Sequence, residues 1–318
     1  MTDLLSRVAG APITWGVCEV SGWGFQMSVD RVLGEVSELG LTAIELGPPG
    51  FLPTDPPALR RSLGRFGLEL VAGFVPLVLH DAARRTEELE QARSAATQLR
   101  AGGASVMVLA ADTGVGNYEH SPELDRDGWK SLATGVAAVE ELAFEQGLRV
   151  ALHPHLGTMV ESPDQVESLL EISSVGLCLD TGHLLAGGGD PVALAKSSPD
   201  RIIHSHLKDV DATTAERVRS GAESYYQAVK NGMYRPLGAG DVDVVAIVNA
   251  LEGSGYRGWY VLEQDVVLEG DPPPRRGPIE AARDSYLFLQ SLVAGKDSRL
   301  TRDGTAARPP RHEARRRK

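Results

Sequence analysis

Along almost the whole chain, short apolar runs alternate with longer amphipathic stretches, and the alternation repeats eight times. The strand-like runs fall near 11–17, 42–46, 68–75, 105–110, 148–153, 175–180, 201–206 and 258–263. Helical patterns lie between them, near 28–39, 56–66, 85–101, 126–146, 163–172, 191–197 and 242–253, with a last one near 279–293. Eight such units in 318 residues favour a closed (β/α)8 TIM barrel. The alternative is an open, doubly wound sheet. It would carry a glycine fingerprint after the first strand, and Gly16 followed by Val17-Cys18-Glu19-Val20 supplies none. The expected organisation is one barrel domain over 1–295 and a disordered basic tail over 296–318.

Local signals agree with this division. Ser162-Pro163 and Asp190-Pro191 each place a capping side chain before a proline at the first helical position. Gly40, Gly67, Gly102 and Gly147 follow helical patterns where a left-handed residue ends a helix. The triple Gly187-Gly188-Gly189 lacks the spacing of a phosphate cradle and reads as a turn. Two connections are long, 111–125 and 207–241, and long loops after barrel strands tend to cover the site. The second holds Tyr225, Tyr226, Tyr234 and Arg235, suited to a polar ring, to a helical lid or to an oligomer contact.

Charge narrows the partners. From Asp297 onward eight basic residues face three acidic ones, so the tail carries +5 of a net −11 and the body carries the balance of −16. An acidic body is a poor binder of phosphate backbones, so no nucleic-acid partner is expected. No apolar run is long enough for a membrane span and no secretory signal is visible. Cys18 and Cys178 read as buried, reduced thiols, and the cytoplasm is the expected compartment.

Four strand ends carry the chemistry. Val150-Ala151-Leu152-His153-Pro154-His155, Val175-Gly176-Leu177-Cys178-Leu179-Asp180-Thr181-Gly182-His183, Ile202-Ile203-His204-Ser205-His206-Leu207-Lys208-Asp209 and Trp259-Tyr260-Val261-Leu262-Glu263-Gln264-Asp265 each run from apolar strand into polar residues. At one mouth of a barrel these ends would build one site. His153, Asp180, His206 and Glu263 form a mixed nitrogen and oxygen set suited to a divalent ion, and it does not choose among manganese, cobalt, iron and zinc. The competing reading is a metal-free network of carboxylates and imidazoles, which carries a large desolvation cost. His204 reads at least as well as a hydrogen-bonded core histidine. Lys208 reads equally as a site residue or as half of a surface pair with Asp209. Glu45 and Trp15 end the second and first predicted strands and are candidate substrate contacts, with Tyr234 and Arg235 from the long loop.

Asp180-Thr181-Gly182-His183, His204-Ser205-His206-Leu207-Lys208-Asp209 and Glu263 resemble the marks of the xylose isomerase-like superfamily of TIM barrels. His153 through Thr158, Gly232-Met233-Tyr234, Pro236 through Asp241 and Gly258 through Asp265 are similar to the inosose (2-keto-myo-inositol) dehydratase branch. The resemblance runs from about 11 to about 293. It implies metal-dependent loss of water from a cyclic polyhydroxy ketone, with Mn2+ or Co2+ as the first choice and Zn2+, Fe2+ or Mg2+ also compatible. Glu263 would be the base, His155 or His183 the acid, and Lys208 an added positive charge at the developing oxyanion. The partner is then a small polyol or keto-sugar, with homo-oligomers common in the family.

Most of the superfamily has glutamate where this chain has His153, which removes one of the two carboxylates of an epimerase and favours dehydration. Pro154 stands where relatives often have a further histidine, and Gly47-Pro48-Pro49-Gly50 is expected to reshape the pocket. Rival readings are an isomerase or epimerase of a free or phosphorylated ketose, a lyase of C-glycosides, and a non-catalytic sugar-binding barrel. The apurinic endonuclease branch fits poorly, because its extra metal ligands have no counterparts here.

Overall fold

The computed structural model describes residues 4–300, with side chains to 295. Its main sheet has nine segments joined only by parallel pairings: β1 (Val8–Gly10), β2 (Ala43–Ile44), β3 (Glu69–Leu70), β4 (Phe74–Leu77), β5 (Val106–Ala111), β6 (Arg149–Leu152), β7 (Gly176–Asp180), β8 (Ile202–Leu207) and β11 (Tyr260–Leu262). β3 and β4 stand at opposite ends of the strand order, yet only three residues separate them in the chain. Those residues close the barrel. Val71 donates to Ile44 O and its own carbonyl accepts from Ser105, while Ala72 O accepts from Leu46 and Gly73 O from Val108. The third strand is thus one strand with a break, and the eightfold (β/α) alternation is a closed barrel.

Helices Val29–Glu38, Pro56–Gly64, Arg85–Gly102, Arg126–Glu145, Pro163–Ile172, Pro191–Ser197, Val244–Ser254 and Pro278–Leu300 cover the outside, within a few residues of expectation except at the last end. That helix passes 295, where the tail was expected to begin, and 301–318 lie outside the described residues. Ser162 makes a full capping box with Gln165, and Asp190 accepts from Val192 and Ala193. At the end of Arg85–Gly102 the left-handed residue is Gly103, one later than expected.

One strand differs from the reading. The first was placed at 11–17, but β1 ends at Gly10 and Pro12–Trp15 form a 3-10 turn. Proline has no N–H to give a ladder, and its fixed φ suits the start of a turn.

Small and branched side chains fill the barrel interior, among them Ala9, Ala43, Val108, Ala151, Cys178 and Val261. Side chains alternate along a strand, so the next inward positions after Ala43, Ala151, Cys178 and Val261 are Glu45, His153, Asp180 and Glu263. β8 joins the same layer through a shift in register between Leu177 and Cys178, which sets Asp180 level with His206. The polar site is therefore the layer above a small-residue core, at the carboxyl ends of the strands.

The connection after β8 folds as the helical lid considered above. β9 (Asp209–Val210) and β10 (Tyr234–Arg235) pair antiparallel around helices Ala212–Arg219 and Tyr225–Lys230. Asp209 holds its root by accepting from Val210, Gly238, Gly240 and Val242, so it is no partner of Lys208. The 111–125 loop docks on the lid through Glu119, which accepts from Tyr225 N at 2.8 Å and Tyr226 N at 3.1 Å. Behind Tyr118 lies Gly157, with φ of +70°, where an added Cβ would stand 2.2 Å from the Tyr118 backbone. Gly157→Ala should therefore destabilise the protein by about 1–3 kcal/mol, read as a lower denaturant midpoint, and raise KM by displacing a pocket wall.

Candidate active site

The Asp180-Thr181-Gly182-His183 segment turns β7 into helix Thr181–Ala186, and each residue has a task there. Asp180 Oδ1 caps the helix by accepting from His183 N at 2.8 Å. Thr181 Oγ1 donates to Lys208 O at 2.7 Å and accepts from Lys208 N at 2.9 Å. Gly182 leaves room for the Lys208 stem, since a Cβ would lie 2.6 Å from Lys208 Cγ. With Oδ1 used as a cap, Asp180 Oδ2 turns to the barrel axis. It lies 3.3 Å from His153 Nε2, 3.6 Å from His206 Nδ1 and 3.4 Å from Lys208 Nζ.

His153, Asp180, His206 and Glu263 converge. His206 Nδ1 lies 2.5 Å from Glu263 Oε2. Asp180 Oδ2, His206 Nδ1 and Glu263 Oε2 are buried without an aligned hydrogen bond, and the three residues offer ligand atoms within 4.8 Å of one another. His153 Nδ1 is 2.8 Å from Pro154 O. A carbonyl only accepts, so Nδ1 carries the hydrogen and Nε2 keeps its lone pair toward Asp180. Each unmet buried group is worth about 1–3 kcal/mol, and one divalent cation would satisfy them together. The donor set fits such an ion.

The remaining groups form tiers around that centre. His155 lines the pocket, and His183 stacks behind it with ring centroids 3.7 Å apart. His155 Nδ1 donates to Leu156 O at 2.6 Å, leaving Nε2 for proton exchange. His183 Nδ1 accepts from Leu156 N at 3.4 Å and lies 3.3 Å from Tyr234 Oη, so its hydrogen is on Nε2, 3.6 Å from Asp265 Oδ2. Burial, joined by the charge of His183 on His155 and of Lys208 on His183, holds both imidazoles well below their usual range. Lys208 is wholly buried, not paired on the surface. Its Nζ is 2.7 Å from Asp265 Oδ1 and 3.4 Å from Glu263 Oε1, with the Tyr234 ring 4.9 Å away. Burial opposes its charge, but Asp180, Asp265 and Glu263 outweigh that and raise its pKa well above the usual lysine value.

The pocket has about 690 Å3 of open space, counting its mouth, a size ordinary for small-molecule sites. Its walls are Ile13, Val17, Trp23, Pro48, Pro49, Phe74, Tyr118 and Tyr225, and its polar lining is Cys18, Glu19, Glu45, His153, His155, His206, Glu263 and Asp265. Pro48 and Pro49, from the glycine- and proline-rich loop, form part of its wall. Among the described residues no arginine or lysine lines it.

Of the four expected substrate contacts, Glu45 lines the pocket. Tyr234 lies beneath it, against His183 and Lys208. Trp15 and Arg235 require correction. Trp15 sits on the 3-10 turn after β1 and is buried behind the barrel wall, where its Nε1 donates to Glu35 Oε2 at 2.9 Å. Arg235 is exposed on the far side of β10 and lies 3.8 Å from Asp211. Cys18 is also not the buried thiol expected: it is half-buried and lines the pocket, whereas Cys178 is buried in the barrel interior. Sequence reasoning placed Asp265 at a strand end without giving it a role, and missed Glu19 and Tyr118. The signal for Asp265 was its period-two spacing from Glu263. Glu19 and Tyr118 stand in loops without a motif, joined by a 2.6 Å hydrogen bond from the phenol.

Residues 33–292 match the family model for xylose isomerase-like TIM barrels. Over 298 residues the chain is 34% identical to an inosose dehydratase of Geobacillus kaustophilus (strain HTA426), covering 90% of this chain and 94% of that one. The rhizopine catabolism protein MocC of Rhizobium meliloti is 32% identical over 304 residues, covering 93% and 91%. A solved IOLI protein with a bound zinc atom superposes with a TM-score of 0.65 at 17% identity, covering 91% and 98%, a likeness of fold. The chain belongs to the xylose isomerase-like TIM barrels, on the branch of the inosose dehydratases.

Proposed function

We propose that the protein is a metal-dependent hydro-lyase that removes water from a cyclic polyhydroxy ketone, with 2-keto-myo-inositol as its substrate. The observation that carries this reading is the convergence of His153, Asp180, His206 and Glu263 at the floor of a pocket with aromatic and carboxylate walls. The inosose dehydratase relative supports the same chemistry. A pocket lining without arginine or lysine suits an uncharged ring and disfavours a phosphorylated ketose.

His153, Asp180, His206 and Glu263 would hold the ion, with Mn2+ or Co2+ proposed. When bound, a divalent cation supplies Lewis-acid polarisation of the ketone oxygen. Glu263 takes the α-proton. It lines the pocket, and Lys208 Nζ stands 3.4 Å from its Oε1. His155 gives a proton to the departing hydroxyl through Nε2, because its Nδ1 is held by Leu156 O. Burial lowers its pKa, so Nε2 must gain the proton it delivers before the hydroxyl departs. His183 backs His155 and fixes its ring, and Lys208 supports the carboxylates from behind. Tyr118 and Tyr225 wall the ring and exclude water.

With Mn2+ or Co2+ the purified protein should convert 2-keto-myo-inositol to a dehydrated product, followed by mass loss of one water. Chelation should stop the reaction and added ion restore it. An unchanged keto-inositol pool with the metal-loaded protein overturns the reading. Solvent deuterium at a substrate carbon without water loss would mean an epimerase instead.

A further inference from the structure

Glu45 follows β2, one inward step above Ala43, and a single oxygen of it serves two histidines. Oε1 lies 2.7 Å from His204 Nε2 and 3.1 Å from His206 Nε2, all three side chains being buried. A carboxylate accepts, so both Nε2 atoms carry hydrogen. On His206 that leaves Nδ1 as the free nitrogen, and Nδ1 is the atom facing Asp180 Oδ2 and Glu263 Oε2. His204, one inward step below His206 on β8, fixes Glu45 from the other side.

We infer that Glu45 is a positioning residue, which with His204 sets the ring orientation and tautomer of His206 so that Nδ1 is the nitrogen offered to the cation. The inference rests on the metal site proposed above and gives Glu45 a task other than gripping substrate. An imidazole that donates its second N–H to a carboxylate is held in one tautomer and made a better ligand. The double histidine of β8 then has a physical reason: one imidazole binds, and the other secures the carboxylate that orients it.

Glu45, His204 and His206 also stand close enough to hold an ion themselves. Two observations favour positioning. Glu45 Oε1 already receives both imidazoles at hydrogen-bond distance, so the three polar atoms satisfy one another. The unmet atoms Asp180 Oδ2 and Glu263 Oε2 gather on the Nδ1 side of His206, where His153 Nε2 also lies near Asp180.

The test uses the full chain stripped of metal and titrated with Mn2+ or Zn2+ against a chromophoric chelator. Nitrogen-15 spectra of the histidine rings are recorded on the zinc form. Wild type should bind one ion per chain, with His206 ligating through Nδ1 and hydrogen on Nε2. Glu45→Gln should raise the Kd about 10–100-fold and let the other tautomer appear. His204→Gln keeps a donor toward Glu45 and should weaken binding less. Circular dichroism confirms that each variant is folded; if Glu45→Gln is not, Glu45→Asp and His204→Gln carry the comparison. A Kd for a folded variant at position 45 within twofold of wild type, ligation through Nε2, or two ions per chain overturns the inference. Wild type that binds no ion overturns the proposed function itself.

Discussion

Asp180→Ala is expected to release the bound ion and to lower turnover by about a thousandfold or more, the loss of several kcal/mol of transition-state stabilisation. The size follows from the two oxygens of this carboxylate. Oδ2 faces His153, His206 and Lys208, so its removal takes away one ligand and leaves Lys208 short of one of its three carboxylates. Oδ1 caps helix Thr181–Ala186, so the alanine variant also loses about 1 kcal/mol of stability. Asp180→Asn separates the effects, because an amide oxygen can still cap while the charge is gone. It should keep the melting temperature near wild type yet lose the ion. His206→Ala should match Asp180→Ala in metal content and turnover. Elemental analysis of the purified variants, with kcat measured in excess Mn2+, checks all three. Retention of metal and turnover in the Asp180 and His206 variants would remove them from the ligand set.

The second large effect separates two histidines that the sequence left equivalent. His155→Ala should lower kcat by about 100- to 10,000-fold with metal still bound, the range of a lost general acid. His183→Ala should cost at least about tenfold less, because His183 lies behind the pocket wall and reaches the substrate only through His155. Steady-state kinetics with 2-keto-myo-inositol decide this. Equal losses, or the larger one at His183, would move the acid to the inner ring.

The strand ends were legible because their chemistry is written in alternation. Where a strand is regular, an inward apolar residue predicts the inward residue two places on, and His153, Asp180 and Glu263 follow that rule, while His206 follows the inward His204. Trp15 did not, because Pro12 ends the ladder early and turns the chain before the tryptophan is reached. Tyr234 and Arg235 show the same limit at the lid. They are adjacent in sequence and face opposite sides of a two-residue strand, so one reaches the barrel and the other solvent. Lys208 was ambiguous because a neighbouring aspartate suggested a surface pair. Its burial depends on Gly182 and Thr181, residues of a different strand end, and only the closed barrel brings them together. Asp265 was in view at its strand end but had no role for a similar reason: its partners Lys208 and Tyr225 lie 40 or more positions away in sequence.

Glu119, which clasps the first amides of helix Tyr225–Lys230, joins two excursions of the chain that share no strand. Together with the segment around Trp23 and the paired prolines after β2 they make a roof whose residues owe nothing to the barrel's alternation. The floor is dictated by pleat and register, and a change there disturbs the reaction itself. Roof and floor can therefore be inherited separately. Altering Val17 or Pro48 should change which ring is accepted while the floor keeps its residues, whereas Tyr118, with its ring 4.6 Å from that of His155, ties the roof to the acid.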